Sequence, residues 1–438
     1  MNTLKQAMQD AGILGAGGAG FPSYAKLAEG ADLLVINGAE CEPLLYTDYY
    51  ILREELPKVV EGASIVLERT GMKKALLSIK HHTAERLGLT DGEDLGMGVF
   101  VRVLPDVYPM GDEINLIYEA SGRLVPPGAL PIAVGVIVYN VETLYHVREA
   151  VREGKKPIEK WITIGGNIEN PVVCRAAVGT RTAELFRAHG ITVPEGHTVL
   201  DGGPAMGRVV NPATASVTRT TKSYLILPDG IPAIQSKLTN LDRQVKRASS
   251  ACCQCTRCTD LCPRALLGYP LEPHRMVRTS LAVVSEDPEA FTEAMLCCGC
   301  GICEIAACCQ SISPRIVISR MKEILGKHRL RFKADRTYTV DPQRAYRMLP
   351  SDRWMEMLGV KKFDKLPPLS DGVYRPTRVT LSMGGHIGAP SVPAVRVGDA
   401  VNIGDRIADA AAGLSLPQFA PIAGRVTFAD GEKIIIEE

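Results

Sequence analysis

The chain has 438 residues, a length that accommodates two to four domains, and an apolar fraction of 46% is enough to build hydrophobic cores. Fifty Lys and Arg residues against 49 Asp and Glu residues leave a formal charge of +1, which argues against nucleic acid or an anionic membrane as a partner. The most apolar stretch, residues 129–141, is shorter than the roughly 20 residues that cross a bilayer. The sequence therefore predicts a protein that works in solution.

The first third of the chain alternates short apolar runs with stretches of helical periodicity. This alternation is typical of an α/β domain, in which helices pack against a sheet. In the first long helical stretch the apolar residues recur near one stripe, and Pro57 is expected to break it. The predicted strands are residues 33–36, 75–79, 99–104 and 134–138, and the predicted helices are residues 49–69 and 140–153.

The pattern changes after residue 157. Short strands and glycine turns predict a small β-rich module, and a cysteine-rich region with helical intervals follows it. The next stretch is rich in Pro, Asp and Arg, which predicts a linker. The last 60 or so residues alternate short apolar runs with Gly-Asp turns, as at Gly398-Asp399 and Gly404-Asp405. This alternation predicts a compact all-β tail.

A glycine-rich segment, residues 15–22, matches the pattern GxGxxG. A Rossmann site needs a strand directly before the glycines, whereas residues 3–11 have an amphipathic helical pattern. The segment is better interpreted as a loop without side chains, so that a flat or phosphorylated ligand can approach backbone N–H groups. Pro22 would then begin a helix, and Lys26, one turn later, could reach a phosphate. A tight packing turn is the alternative, although it explains one or two glycines more readily than four.

Eleven of the 13 cysteines fall between residues 252 and 309, in two groups. Each group has three cysteines at CxxCxxC spacing and a fourth nearby, which is the pattern of a ferredoxin with two [4Fe-4S] clusters. In such ferredoxins the fourth cysteine of each group ligates the other cluster. The second group has four residues between Cys303 and Cys308 and no proline afterwards, so Cys309 is an alternative eighth ligand. The predicted ligands are Cys252, Cys255, Cys258, Cys262, Cys297, Cys300, Cys303 and Cys308.

Zinc and disulfides are the alternative explanations of the cysteines. Structural zinc prefers pairs of ligands on separate loops, whereas each group here offers three evenly spaced thiols and a fourth. An odd number of cysteines, packed this densely, does not suit a disulfide framework. Residues 1–10 lack the apolar core of a secretory signal, so a reducing cytoplasm is expected.

Four motifs stand out in the first 150 residues. They are Gly17-Gly18-Ala19-Gly20-Phe21-Pro22 with Lys26, Asn37-Gly38-Ala39-Glu40-Cys41-Glu42-Pro43, Tyr108-Pro109-Met110-Gly111-Asp112-Glu113 and Asn140-Val141-Glu142-Thr143. In this order they resemble the motifs of the flavin and NADH-binding subunit of respiratory complex I, and still more those of the C subunit of the Rnf electron-transport complex. Position 139 is Tyr where the complex I subunit has a second Asn.

The resemblance implies a site for FMN, with NADH as substrate. NADH gives up two electrons as a hydride, a cubane cluster accepts one, and a flavin can take the pair and release electrons singly. Glu40 and Glu42 are interpreted as partners of ribose hydroxyls or of the nicotinamide, with solvated carboxylates as the alternative. The cofactor-binding residues implied are Gly17, Gly18, Gly20, Phe21, Lys26, Asn37, Glu40, Glu42, Tyr108, Gly111, Asp112, Glu113, Asn140 and Thr143, and no further catalytic residue is assigned.

The paired cysteine motifs are similar to those of the Rnf subunit, whereas the complex I subunit carries one cluster. The tail resembles the barrel-sandwich, lipoyl-like module that the Rnf subunit has at its N-terminus. No lysine lies between Ala410 and Gln418 for lipoyl attachment. The expected architecture is multidomain α/β, with a flavin/NADH-binding α/β domain at 1–155, a soluble-ligand-binding (SLBB-like) β-grasp module at 156–235, a helical ferredoxin-like domain with two [4Fe-4S] clusters at 236–332, a linker at 333–376 and an unmodified all-β barrel-sandwich module at 377–438.

The position of the tail resembles that in the cobalamin reductases of propanediol-utilisation bacterial microcompartments. This implies an NADH-dependent enzyme that passes electrons through FMN and two clusters to cob(III)alamin or cob(II)alamin, in support of a cobalamin-dependent diol dehydratase. The implied partners are a corrinoid, an adenosyltransferase and a shell protein, and the implied location is cytoplasmic, inside or on a microcompartment. The alternatives are an Rnf-like subunit between NADH and ferredoxin, and a non-catalytic conduit or scaffold.

Overall fold

The computed structural model describes residues 1–18, 20–279 and 281–438, so Ala19 of the glycine loop lies outside the described residues. The first domain is built on a sheet of four parallel strands in the order β3-β2-β1-β5. These strands are almost continuously apolar because both faces of a parallel sheet are covered. Its strands are β1 (Leu33–Asn37), β2 (Lys74–Lys80), β3 (Val99–Leu104) and β5 (Val136–Asn140), with a short β4 (Val107–Tyr108) outside the sheet.

Helices cover one face of this sheet, and Leu34, Ile36 and Leu77 belong to that core. The predicted strands are confirmed, although β5 begins two residues later than expected. Glu55 has non-helical backbone angles two residues before Pro57, so the proline kinks the helix without ending it. The helices are α1 (Asn2–Asp10), α2 (Thr47–Thr70), α3 (His81–Leu87), α4 (Glu113–Ser121) and α5 (Val141–Glu153).

A six-stranded sheet follows, in the order β12-β7-β6-β10-β8-β9. Its two central strands, β6 and β10, are parallel, and a helix packs against one face. This is the topology expected of the β-grasp module. The elements are β6 (Glu159–Gly166), β7 (Val172–Ala177), α6 (Thr182–Ala188), β8 (His197–Asp201), β9 (Arg208–Val210) and β10 (Ser223–Pro228).

The cysteine-rich region forms short helices around two loops. Its core is continuous with the second face of the parallel sheet, where Val35 and Val138 share a cluster with Ile318 and Met321. The first domain, named the flavin-type domain from the ligand predicted for it, and the cysteine-rich domain therefore form one packed unit. The helices are α7 (Pro232–Gln235), α8 (Leu241–Ala251), α9 (Arg257–Asp260), α10 (Pro263–Leu266), α11 (Pro273–Met276), α12 (Leu281–Glu286) and α13 (Pro314–Lys327).

Residues 333–376, predicted as a linker, are folded against all three preceding domains. One strand of this segment pairs with β4, and another adds to the β-grasp sheet beside β7. Trp354 is fully buried and stacks on Tyr108, with 4.7 Å between ring centroids. The Pro, Asp and Arg content marks turns here, whereas the two strand pairings and a set of buried apolar side chains that includes Trp354 fix the segment. Its elements are α14 (Arg344–Arg347), β11 (Leu349–Pro350), α15 (Ser351–Leu358) and β12 (Leu369–Tyr374).

The tail is all-β, as expected, and consists of two small sheets. Val379, Ile407 and Ile436 lie in the core between them. Its turn at residues 384–390 contacts the glycine loop, where the Ile387 N–H donates to the Gly20 carbonyl at 2.8 Å. The strands are β13 (Arg378–Ser382), β14 (Val392–Pro393), β15 (Ala400–Val401), β16 (Arg406–Asp409), β17 (Gln418–Phe419), β18 (Gly424–Ala429) and β19 (Lys433–Glu437). In the described part of the chain, no helix has the length and apolarity that a membrane crossing requires.

Candidate functional site

Two asparagines lie at the carboxyl ends of adjacent strands, the edge where open α/β sheets bind ligands. Asn140 ends β5 and caps α5, because its Oδ1 accepts the Glu142 N–H at 3.0 Å. Its Nδ2 lies 3.2 Å from the Asn37 carbonyl and 2.8 Å from Asp48 Oδ2. Asn37 Nδ2 in turn donates to the Gly111 carbonyl at 3.1 Å. The structure therefore brings three of the four sequence motifs together at one edge.

Lys26 lies at the mouth of this edge. Its Nζ is 2.6 Å from Glu113 Oε1 and 3.2 Å from the Val138 carbonyl, and about a third of each side chain of the ion pair is exposed. The helix expected after Pro22 is only a single 3-10 turn, Ser23–Lys26, because the next residue, Leu27, has an extended backbone. The Tyr139 hydroxyl pins this turn by donating to the Ser23 carbonyl at 2.7 Å. Lys26 thus provides a cation at the ligand edge, without a long helix behind it.

The glycine loop is a closed hairpin that rests on the N-terminus of α5. The Gly15 N–H donates to the Phe21 carbonyl at 2.8 Å, and the Ala16 N–H donates to Thr143 Oγ1 at 3.1 Å. Gly17 and Gly18 are exposed at its tip. A Cβ on Gly18 would meet no described atom within 4 Å, and one on Gly17 would lie 3.9 Å from Asn140 Cβ. Open backbone beside Lys26 and two strand ends fits a phosphorylated, flat cofactor such as FMN.

Gly20 and Gly111 have packing roles. A Cβ on Gly20 would lie 2.9 Å from Thr220 Cγ2 of the β-grasp module. A Cβ on Gly111 would lie 2.7 Å from the Ala39 carbonyl and 3.0 Å from Cys41 Sγ. The packing alternative considered for the glycine loop therefore accounts for Gly20, while Gly17 and Gly18 are left open.

Glu40 and Glu42 leave the same loop in different directions. Glu40 Oε2 lies 3.7 Å from Lys222 Nζ, and burial raises the pKa of Glu40 to about 7 against the charge of that lysine. Glu42 Oε2 instead accepts the Ala205 N–H at 2.9 Å, and a Cβ on Gly203 would collide with this carboxylate. Glu42 therefore anchors a β-grasp loop, and its role as a partner of the ribose or the nicotinamide stays a prediction.

Tyr108 and Asp112 point towards the cysteine-rich domain. The Tyr108 hydroxyl lies 2.8 Å from the Cys300 carbonyl and 3.2 Å from Glu42 Oε1. Asp112 caps α4, and its carboxylate pairs at 2.7 Å with Arg264. Arg264 directly follows Cys262 and Pro263 in the sequence. Both residues join the first domain to the cysteine-rich domain, and the role expected for them at the flavin stays a prediction.

Two cavities are each lined by four of the predicted ligands. One is lined by Cys252, Cys255, Cys258 and Cys308, with Cys253 and Cys309 also at its wall, and is named the outer cavity. The other is lined by Cys262, Cys297, Cys300 and Cys303, with Cys298 also at its wall, and is named the inner cavity. Each group therefore contributes its fourth predicted ligand to the lining of the other cavity. Four thiols around one cavity are a donor set that fits a cubane iron–sulfur cluster.

The extra residue before Cys308 is absorbed by a π-helix at Cys303–Ala307. A π-helix closes its hydrogen bonds over one residue more than an α-helix, so an insertion of one residue is taken up within the turn. Cys308 is half-buried, and its sulfur accepts the Ile312 N–H at 3.3 Å. Cys309 is exposed, and its sulfur lies within 4.8 Å of those of Cys253 and Cys255. Both thiols therefore lie at the outer cavity, and Cys308 is the more enclosed of the two.

The cavities differ in exposure. Cys262, Cys300 and Cys303 of the inner cavity are buried, and this cavity borders Tyr108 and Asp112 through Cys300 and Arg264. Cys255 of the outer cavity is exposed. The inner cavity is therefore the one joined to the flavin-type domain, and the outer cavity faces solvent.

Asp48 and Lys222 were not predicted, yet they complete the flavin edge. Their side chains form an ion pair and are 2% and 9% exposed. A lysine directly before the apolar strand 223–228 is a weak signal of a buried partner, and sequence alone does not say which acid it meets. Their pairing depends on how the β-grasp module packs against α2.

Three models of known families match parts of this chain. Residues 8–149 match the Nuo51 FMN-binding domain, residues 251–313 match the 4Fe-4S dicluster domain, and residues 361–434 match the RnfC barrel sandwich hybrid domain. The NAD+-reducing [NiFe]-hydrogenase in its H2-reduced state has 19% sequence identity and a TM-score of 0.45, over 76% of this chain and 63% of that one.

Two relatives bear on the family. The C subunit of the ion-translocating oxidoreductase complex of Edwardsiella ictaluri is 32% identical over 60% of this chain and 32% of its own length. Cobalamin reductase PduS of Citrobacter freundii is 32% identical over 99% of this chain and 96% of its own length. With an FMN-binding domain joined to a dicluster domain, this chain is an electron-transferring flavin and iron–sulfur oxidoreductase, and it belongs to the family of cobalamin reductase PduS.

Proposed function

We propose that this protein oxidises NADH and passes the electrons through FMN and two [4Fe-4S] clusters to a corrinoid, as a reductase of cob(III)alamin or cob(II)alamin. The observation that carries the proposal is that a domain with an open ligand edge shares a core with a domain that holds two cysteine-lined cavities, the inner of which borders the first domain directly. Similarity to PduS over 99% of the chain supports the corrinoid as acceptor.

The residues of the ligand edge suit FMN. Lys26 supplies a cation for the phosphate, and the Gly17 and Gly18 backbone permits close approach. Asn37 Nδ2 is held by the Gly111 carbonyl and Asn140 Nδ2 by the Asn37 carbonyl, so the geometry of both side chains is set before a ligand arrives. When bound, a flavin accepts an electron pair and releases electrons singly. Thr143 holds the glycine loop over the edge through the Ala16 N–H.

The difference in burial of the cavities supports an order for the electrons. The inner cavity touches the flavin-type domain through Tyr108 and Arg264, so its cluster is the one to receive electrons first. The outer cavity has exposed cysteines, so its cluster is the one that delivers electrons to an acceptor outside the chain. The exposed outer face has room for a large acceptor such as a corrinoid or a second protein.

The cellular setting follows from the same similarity. A corrinoid reductase works upstream of an adenosyltransferase, which needs reduced cobalt, and a relative of PduS belongs with a propanediol-utilisation microcompartment and its shell protein. We therefore place the protein in the cytoplasm, inside or on such a compartment. Co-purification from cells, with the adenosyltransferase and the shell proteins as probes, tests this placement.

The decisive test is anaerobic. The protein is reconstituted with iron, sulfide and FMN, NADH is added, and flavin and cluster absorbance are followed before and after addition of cob(III)alamin or cob(II)alamin. Rapid bleaching that the corrinoid reverses is expected. Bleaching without corrinoid turnover would instead favour the second candidate, transfer between NADH and ferredoxin, which the similarity to the ion-translocating C subunit supports. Failure to retain FMN would contradict both.

A further inference from the structure

The β-grasp module sends two buried lysines into the acidic edge of the flavin-type domain. Lys222, directly before β10, pairs with Asp48, and its Nζ also lies 3.7 Å from Glu40 Oε2. Lys160, on β6, pairs with Glu142 at 2.7 Å. Both lysines are less than a tenth exposed. Of the two, Lys222 is the one whose ammonium group faces a residue of the predicted site.

Lys222 closes a ring of contacts around the ligand edge. Asp48, its ion-pair partner, accepts Asn140 Nδ2 at 2.8 Å. The same Nδ2 lies 3.2 Å from the Asn37 carbonyl. Asn37 begins the loop that carries Glu40, and Glu40 returns to Lys222. The only member of this ring that comes from outside the flavin-type domain is therefore the lysine.

We propose that Lys222 is a positioning residue of the flavin site, which holds Glu40 and, through Asp48, Asn140 in place, and whose charge stabilises the ionised form of Glu40. The inference rests on the proposed function, since Glu40 matters only if the edge binds a redox cofactor. It makes the β-grasp module a part of the redox site and not only a neighbour of it.

The charges that face Glu40 fix the direction of the effect. They are Lys222, Asp48 and Glu42. Burial raises the pKa of Glu40 to about 7, the lysine opposes this rise, and the two carboxylates add to it. The lysine itself stays charged, because Asp48 and Glu40 outweigh its burial and raise its pKa above the ordinary value. Without Lys222, carboxylates alone would face Glu40, and its pKa would rise further.

A carboxyl group that titrates near neutral pH suits this reaction. Oxidation of NADH to NAD+ releases two electrons and one proton, and the clusters accept electrons only. The proton must therefore reach solvent from the flavin edge. Glu40, 18% exposed and beside the strand ends, is placed to exchange it.

The first test uses the flavin-free full chain, so that it does not depend on activity. Titration of the Glu40 carboxyl is followed by ¹³C NMR, with Glu40→Gln to assign the signal. In Lys222→Met the midpoint is expected to rise by at least one pH unit, a tenfold change in the ionised to protonated ratio. In Lys222→Arg it returns towards the wild-type value. Lys160→Met is the matched control. It removes the lysine of another buried ion pair across the same interface, and the acid in that pair is Glu142 and not Glu40.

Asp48→Asn provides a test of opposite sign, which remains available if Lys222→Met does not fold. This variant removes a carboxylate and leaves Lys222 to Glu40, so the midpoint is expected to fall. An unchanged midpoint in Lys222→Met, an equal shift in Lys160→Met, or a rise in Asp48→Asn would each overturn the inference.

A second measurement uses the reconstituted protein and the pH profile of flavin reduction by NADH. The fall in the rate of flavin reduction at low pH, the acid limb, is expected to move to higher pH in Lys222→Met and to disappear in Glu40→Gln. Adding Lys222→Met to Glu40→Gln should have no further effect on the pH profile. A limb that persists in Glu40→Gln contradicts the inference. If NADH does not reduce the flavin at all, the proposed function fails, while the NMR titration still decides the role of Lys222.

Discussion

Replacing Gly17 by alanine tests whether the glycine loop is a ligand cradle. The new Cβ would lie 3.9 Å from Asn140 Cβ, an ordinary contact distance, and Gly17 is not in the left-handed region of the backbone. The fold should therefore tolerate the methyl group. On the open face, however, that group keeps a phosphate away from the backbone N–H. Loss of one hydrogen bond to a charged group costs about 1.5–3 kcal/mol, so the Kd for FMN should rise about 10- to 150-fold.

The assay is quenching of FMN fluorescence on titration with flavin-free protein, beside a circular dichroism melt. Gly230→Ala is the matched control, since Gly230 is exposed, is not left-handed, and has no described atom within 4 Å of its would-be Cβ. Gly20→Ala should behave differently and destabilise the fold, because its φ is +63° and its Cβ would lie 2.9 Å from Thr220. Wild-type FMN affinity in Gly17→Ala, or equal weakening in Gly230→Ala, would refute the cradle.

The packing of the chain makes three further predictions. Cys308→Ser should abolish the electron paramagnetic resonance signal of the cluster in the outer cavity, whereas Cys309→Ser should keep that signal. The reverse result would mean that the π-helix does not determine which of the two cysteines is the eighth ligand. For Glu142, burial alone would raise the pKa, but Lys160 and His146 outweigh it and lower the pKa to about 2. The difference from the ordinary pKa of 4.5 corresponds to about 3 kcal/mol. In chemical denaturation at pH 7, Glu142→Gln should therefore have a free energy of unfolding lower than that of the wild type by this amount. The difference between the two proteins should narrow only as the pH falls from 4.5 towards 2, where Glu142 becomes protonated in the folded wild type as well. Trp354→Ala should lower the free energy of unfolding by about 3–5 kcal/mol and increase hydrogen exchange in residues 344–360. Trp354→Phe should lower it much less, because the indole N–H has no hydrogen-bond partner among the described residues. Equal losses of stability in the two variants would show that the indole N–H is paired.

Local sequence patterns determined much of the fold. The runs at 33–36 and 75–79 are almost entirely apolar, as strands of a parallel sheet are when both faces of the sheet are buried, and the structure has parallel strands at both places. The CxxCxxC spacing determined which cysteines share a loop, and the ferredoxin pattern predicted the exchange of Cys262 and Cys308 between cavities. The family resemblance, and not a local pattern, implied that the glycine loop, Lys26, Asn37 and Asn140 share one cofactor site; the structure brings Asn37 and Asn140 to one edge of the sheet, with Lys26 at its mouth.

Only the tertiary structure decided which partner each polar side chain meets. Glu40 and Glu42 are two residues apart and have the same chemistry, yet one faces Lys222 and the other anchors the loop at Ala205. Residues 333–376 have the composition of a linker, yet two strand pairings and a set of buried apolar side chains that includes Trp354 fix them. Sequence periodicity reports which residues are buried, because burial depends on local pattern. Pairing between distant segments depends on how whole domains pack, and no local pattern in this chain encodes that packing.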